Sequence, residues 1–322
     1  MPHLERHPLQ HLLLIGIGAS LALGALVGVA WTAGFEKVVD VGAGVDWVWL
    51  PTALGMEIAA YLGYIVAYRE IARVEGGPEM GMGRAGAIVA AGFGVFVIRG
   101  GFIVDRLALE SAGFPARQAR IRVLGLGALE YAVLAPAAAV AAMIIVARGK
   151  THPSFGFTLP WVIAVPLGFV AAILALAYRD RMRGSSGWRN IVSHGLEGLY
   201  VLRRLAAQPR QHIGAFLGTA LYWLGDIACL WASLRAFHET PDLAALLIGY
   251  ATGYAVTRRT LPLGGAGSVE ALVSFALAWT GVPLATAVLG VCAYRFFNLW
   301  LPLVPAAIGL RHLRRWREMA SP

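Results

Sequence analysis

Six apolar runs, at about 12–33, 47–68, 123–147, 158–178, 213–236 and 283–310, leave this chain few ways to fold. Each approaches or exceeds the ~18 residues that suggest a helix crossing a bilayer. In hydrocarbon every backbone N–H and C=O needs a partner within the protein, and a helix supplies these inside one segment. Only 14% of the 322 residues are charged and 58% are hydrophobic, against roughly 25% charged in an average soluble domain. The chain reads as an all-α polytopic membrane protein. Its first run is about twice the length of a signal-peptide core of ~7–15 residues, so a retained helix is expected. No Gly/Ser linker or long polar tract divides the chain, and residues 1–322 are expected to form a single membrane domain.

The formal net charge of +9 raises the question of nucleic acid, but the basic residues lie in loops between apolar runs, where membrane topology puts them. No nucleic-acid partner is expected. Two further apolar segments are short for a crossing: 85–98, followed by Arg99, and 243–257, which leads through Arg258 and Arg259 to a break and a short helix at 268–280. Segments of ~10–14 residues are typical of re-entrant structure, so 85–121 and 243–281 are read as hairpins that leave on the side they enter. Both termini are then cytoplasmic in an inner (cell) membrane, with 19 Lys and Arg on the inside against four outside. If the hairpins crossed fully, Arg106, Arg117, Arg120 and Arg122 would move outside. The arginine-rich stretch 179–212 suits an amphipathic region facing anionic lipid on the inner surface.

Residues 261–302 join three features that membranes rarely tolerate together. Pro262, Gly264, Gly265 and Gly267 break the backbone, Glu270 opens a short apolar helix, and Arg295 sits inside a long apolar run. Irregular backbone at membrane depth persists only where protein or a wet cavity satisfies it. A buried charge costs at least ~2.5 kcal/mol, so it faces a partner or a pathway. The segment also echoes an earlier one. Gly100-Gly101 corresponds to Gly264-Gly265, Gly113-Phe114-Pro115 to Gly281-Val282-Pro283, and Glu130 to Arg295. With the topology above, about 47–147 and about 213–310 become inverted repeats, an arrangement in which binding sites lie between the repeats and use discontinuous helices. Glu57 and Asp226 are further intramembrane acids, candidates for proton coupling or for satisfied packing contacts. Gly24 and Gly28 have the spacing of a close helix contact.

The pattern Pro262, Gly264, Gly265, Gly267, Glu270, Gly281-Val282, Tyr294-Arg295, then Trp300 and Pro302, resembles the transmembrane region of the lysylphosphatidylglycerol synthase, or flippase-like, family. The resemblance covers most of the chain. In the first half Gly100, Gly101, Arg106 and Glu130 fit, while Arg99 stands where the family has proline. Tyr131 replaces the second member of a Glu-Arg pair. In bifunctional members, the resemblance implies, this region moves an aminoacylated phospholipid between leaflets and a separate soluble domain makes it. The chain stops at Pro322 without such a domain, so synthase activity is not expected.

Such a resemblance implies a lipid transporter passing a phospholipid or lipid-linked headgroup through a polar cavity. Glu270 and the glycine backbone would cap a helix start or line the headgroup site. Arg295 and Glu130 would either pair with each other or take the headgroup's phosphate and cation. Tyr294 belongs to the same motif, Arg106 would border the inner mouth, and Arg258 and Arg259 would lure anions or anchor the outer mouth. The alternatives are a non-transporting partner of a lipid- or glycan-modifying enzyme, and an intramembrane lipid-modifying enzyme. The latter lacks a Ser/His/Asp or His-rich set on the spans, so no enzymatic activity is expected. His3, His7 and His11 are interrupted by Pro8, and Gly149-Lys150-Thr151 lacks the upstream glycine of a phosphate loop. No metal or cofactor is expected, and the sequence leaves the oligomeric state open.

Overall fold

The computed structural model describes residues 8–74, 79–99, 106, 109, 110, 113–149, 155–178, 187–255 and 265–306. The regular elements among them are helical: α1 (Pro8–Ala33), α2 (Phe35–Ala43), α3 (Trp49–Ala72), α4 (Met82–Arg99), α5 (Ala116–Ala147), α6 (Phe155–Ala177), α7 (Gly187–Ala207), α8 (Pro209–Arg235), α9 (Leu243–Tyr250), α10 (Ser268–Trp279) and α11 (Leu284–Arg295). π-Helical turns extend α9 over Ala251–Ala255 and α11 over Phe296–Trp300. Among the described residues six helices are long and apolar enough to span a membrane: Leu13–Ala33, Trp49–Ala72, Ala116–Ala147, Gly156–Ala177, Pro209–Arg235 and Leu284–Ala306. These are the six runs expected from the sequence.

The centre of the molecule is the pair α3 and α8. Low numbers on one meet high numbers on the other (Ala60 with Gly225, Ala67 with Gly218), so the two run antiparallel. A Cβ on Gly218 would lie 2.7 Å from both Ala67 N and Gly63 O, and one on Gly225 would lie 2.6 Å from Ala60 N. Backbone therefore touches backbone, with Ala53, Ala60 and Ala67 on one side and Ala215, Cys229 and Ala232 on the other fully buried or nearly so. Lipid offers no hydrophobic incentive for helices to associate, and such close approach through small residues is what replaces it. Gly24 and Gly28 of α1, by contrast, have nothing within 4 Å of a would-be Cβ. The close contact lies where glycines face glycines across α3 and α8.

Around this pair, α11 packs on α8, α10 on α11, and α9 on both α10 and α5. α5 also lies against α8, while α6 and the amphipathic α7 flank it outside. α9 with its π turn and α10 pack on each other and meet at Gly253, where a Cβ would fall 2.6 Å from Val273 Cα. Twelve residues of α10 give a length of about 18 Å, well short of the ~30 Å hydrocarbon core. The return limb of the hairpin expected over 85–121, at 100–112, lies largely outside the described residues.

Arg122 takes a place that charge counting did not foresee. It is 5% exposed, donates to the carbonyls of Ala72 at 3.1 Å and Val74 at 2.7 Å, and lies over the Phe114 ring. It thus closes the carbonyl end of α3 from α5. Arg122→Gln is expected to lower stability by about 1–3 kcal/mol through these stranded acceptors, measured by thermal unfolding in detergent.

Candidate functional site

Polar side chains from four helices, α3, α8, α9 and α11, converge on the contact between α8 and α11. Asp226, fully buried on α8, accepts from the Tyr250 hydroxyl at the end of α9. It also accepts from the Tyr294 hydroxyl of α11 at 3.0 and 3.1 Å and from Asn298 Nδ2 at 2.7 Å. The same Asn298 amide donates to Glu57 Oε1 on α3 at 3.2 Å. Two acids from the two central helices thus share one amide group. The Tyr250 ring lies edge-on to both Trp223 and Tyr294, so an aromatic wall surrounds the carboxylate.

Helical spacing delivers these groups. Tyr294 and Asn298 are four residues apart and Arg295 and Asn298 three apart, so all project to one face. Pro302 has no N–H to give to the carbonyl four residues back. That carbonyl belongs to Asn298 and accepts from the Tyr61 hydroxyl at 3.3 Å instead. The widened turn at Phe296–Trp300, with Leu301 N donating to Phe296 O at 2.8 Å, thus presents Asn298 at once to α3 and α8.

The second half of the cluster is an ion pair. Arg295, 2% exposed, donates from Nε to Glu270 Oε1 at 2.9 Å and from Nη1 to Asn298 Oδ1 at 3.3 Å. Glu270 is fully buried, and its other oxygen accepts from Gly267 N at 2.7 Å. Gly265 and Gly267 both hold positive φ, 69° and 85°, a conformation that costs a side chain ~1–2 kcal/mol. At Gly267 a Cβ would also meet Leu21 O at 2.9 Å. The glycine break therefore turns the chain so that Gly267, just before α10, points its N–H at Glu270 in the first turn of that helix. Helix capping, one of the two roles expected of Glu270, occurs here together with an ion pair to Arg295 that the sequence reading had not named.

Glu270 is the carboxylate set on Arg295 Nε, a partner that the sequence reading had not named. The reason is local: α10 and α11 are consecutive and packed together. Glu130 is buried on α5, and its backbone carbonyl accepts from Trp223 Nε1 at 2.9 Å. It joins the cluster's rim through that ring. Arg106 is half-exposed and pairs with Glu110 at 3.3 Å, one turn on. Gly264, Arg258 and Arg259 lie outside the described residues.

Tyr250, Asn298, Tyr61 and Trp223 were missed. The available signal was polar atoms inside apolar runs: Asn298 lies one turn from the arginine already singled out. Among the described residues no group of three His, Cys, Asp or Glu could hold a metal ion.

An all-helical bundle with six spans around a buried acid–amide–guanidinium cluster is a multi-pass membrane protein with a polar site at its centre. Residues 13–306 match the model of the lysylphosphatidylglycerol synthase TM region, and the chain belongs to that family. The family is a membrane region associated with proteins that flip or modify lipids. No curated protein matches the chain.

Proposed function

We propose that this protein moves a phospholipid or lipid-linked headgroup between leaflets, and that the cluster of Glu57, Asp226, Glu270, Arg295 and Asn298 is where the headgroup passes. The observation that carries this reading is the Glu270–Arg295 pair, 2.9 Å apart and buried between a short helix and a full span. A headgroup phosphate is chemically equivalent to Glu270 as a partner for the guanidinium. Exchange of Glu270 for phosphate on Arg295 would free the carboxylate for a cationic headgroup group, and return of the pair would close the site. Favouring this over a purely structural pair is the company it keeps: two more acids, Asp226 and Glu57, meet on one amide beside it. Intramembrane ionisable groups cost free energy and mark pathways more often than scaffolds.

On this reading α9 and α10, with the break between them, form a re-entrant hairpin, and 47–147 and 213–310 are inverted repeats. The antiparallel contact of their leading spans α3 and α8 at the molecular centre is what that symmetry requires. Both termini would then be cytoplasmic. Asp226, held by two tyrosines and an amide, and Glu57 are the groups placed to exchange a proton with transport. The protein acts without covalent chemistry on the lipid.

The experiment is lipid movement in proteoliposomes with headgroup-labelled phospholipids. Wild type is expected to exceed empty vesicles for at least one lipid of a broad panel, and Asp226→Asn to fall at least tenfold with unchanged folding. Equal rates with and without protein across the panel would reject the reading. Turnover of the lipid by the purified protein would assign an enzyme instead.

A further inference from the structure

A second feature lies away from the polar cluster, on the outer side of α5. There α5, α6 and α7 enclose a groove of about 1040 Å³. Small residues line much of it, Ala128, Ala132 and Ala135 on α5 and Ala164, Gly168 and Ala172 on α6, among larger apolar side chains such as Phe169 and Leu202. These small faces do not close on each other: a Cβ on Gly168 would meet nothing within 4 Å. Unfilled apolar volume of this size is foreign to packed protein interiors. Both walls are spanning helices, and none of the most apolar stretch of α6 is buried. In a bilayer the groove is open to acyl chains.

Charge gives the groove a direction. Among the described residues lining it Arg203, exposed on α7, carries the only charge. α7 meets α5 at Leu124 and Gly125, and α6 runs back along α5 from the end where Phe157 and Trp161 pack with Ala138 and Ile145, which sets Arg203 toward Leu176 and Ala177, the last residues of α6. No carboxylate pairs with it among the described residues, whereas its neighbour Arg204 is held by the Tyr200 hydroxyl at 2.9 Å. At the opposite end Trp161 Nε1 donates to Thr252 Oγ1 at 3.0 Å, so those polar atoms satisfy each other. From Pro160 to Ala177 the groove follows α6 for about 25 Å, longer than one leaflet's share of the ~30 Å core.

We infer that this groove is a binding site for an anionic phospholipid, one acyl chain lying between α5 and α6 and the headgroup phosphate on Arg203. The site depends on the protein's being in a membrane and not on its moving lipid through the central cluster. It is a place for a resident lipid from the leaflet at the α7 side, holding α6 to the bundle where side chains leave the contact unfilled.

Native mass spectrometry of the full chain in mild detergent tests it, with phosphatidylglycerol and phosphatidylcholine of identical chains as probes. Wild type is expected to retain one phosphatidylglycerol with a preference of about fivefold or more, the weight of one arginine at an anionic lipid surface. Arg203→Gln should abolish the preference, Gly168→Trp should remove the retained lipid, and Arg204→Gln should leave both unchanged. Retention by Arg203→Gln and Gly168→Trp equal to wild type would overturn the site. So would equal losses in Arg204→Gln and Arg203→Gln, which would mean diffuse attraction to a basic face. A Glu270→Met/Arg295→Met double variant should keep the lipid; its loss there would assign the lipid to the central cluster.

Discussion

Arg295→Met is expected to destabilise the protein by about 3–5 kcal/mol, because it leaves Glu270 buried with its charge uncompensated. The geometry makes this severe. Glu270 has no measurable exposure, so it cannot recover solvation by turning to water, and the glycine break fixes it through the Gly267 N–H. Adding Glu270→Met should restore most of the loss, since apolar replacement of both members of a buried pair is often neutral. The pair is read from the thermal unfolding midpoints of the two single variants and the double. Equal destabilisation by the double and by Arg295→Met alone would mean that the pair is not an energetic unit.

Gly218→Val ranks second, at roughly 3 kcal/mol, the upper part of the usual range for overpacking. What the new side chain meets is backbone, Ala67 N and Gly63 O at 2.7 Å each, and backbone cannot rotate out of the way. The same change at Gly24, which faces open space, should shift the midpoint by less than about 0.5 kcal/mol. Chemical unfolding of the two variants side by side checks the contrast. A comparable loss at both positions would contradict the α3–α8 seam as the centre of the fold.

That contrast also shows what could be read from residues alone. Spans were legible because length and hydropathy are properties of one segment: all six emerge where the apolar runs lie. Glycine spacing is also local, but which glycines touch is decided by the partner helix. Gly24 and Gly28 therefore signalled a contact that Gly63, Gly218 and Gly225 make. The site divided in the same way. Glu270, Arg295, Asp226 and Glu57 were legible as charged groups in apolar surroundings, the costliest placements in the chain, and Tyr294 only through the motif it shares with the family. Their pairing was not. The repeat pointed from Arg295 to Glu130, whereas the bond from its Nε to Glu270 follows from the packing of α10 on α11, which no residue pattern announces. Asn298 escaped notice because an uncharged amide carries no topological signal, yet it links Asp226, Glu57 and Arg295. Arg122 passed for a loop charge because its burial comes from the carbonyl end of α3, some fifty residues earlier.

The most direct measurement of the account's central claim is lipid movement by the Glu270→Met/Arg295→Met double variant in proteoliposomes, beside wild type and empty vesicles. The variant removes the buried ion pair of the proposed headgroup site while sparing the fold. The account predicts a folded protein with wild-type unfolding behaviour that moves labelled phospholipid no faster than empty vesicles. A double variant that moves lipid as fast as wild type would contradict it and leave the pair a structural clamp.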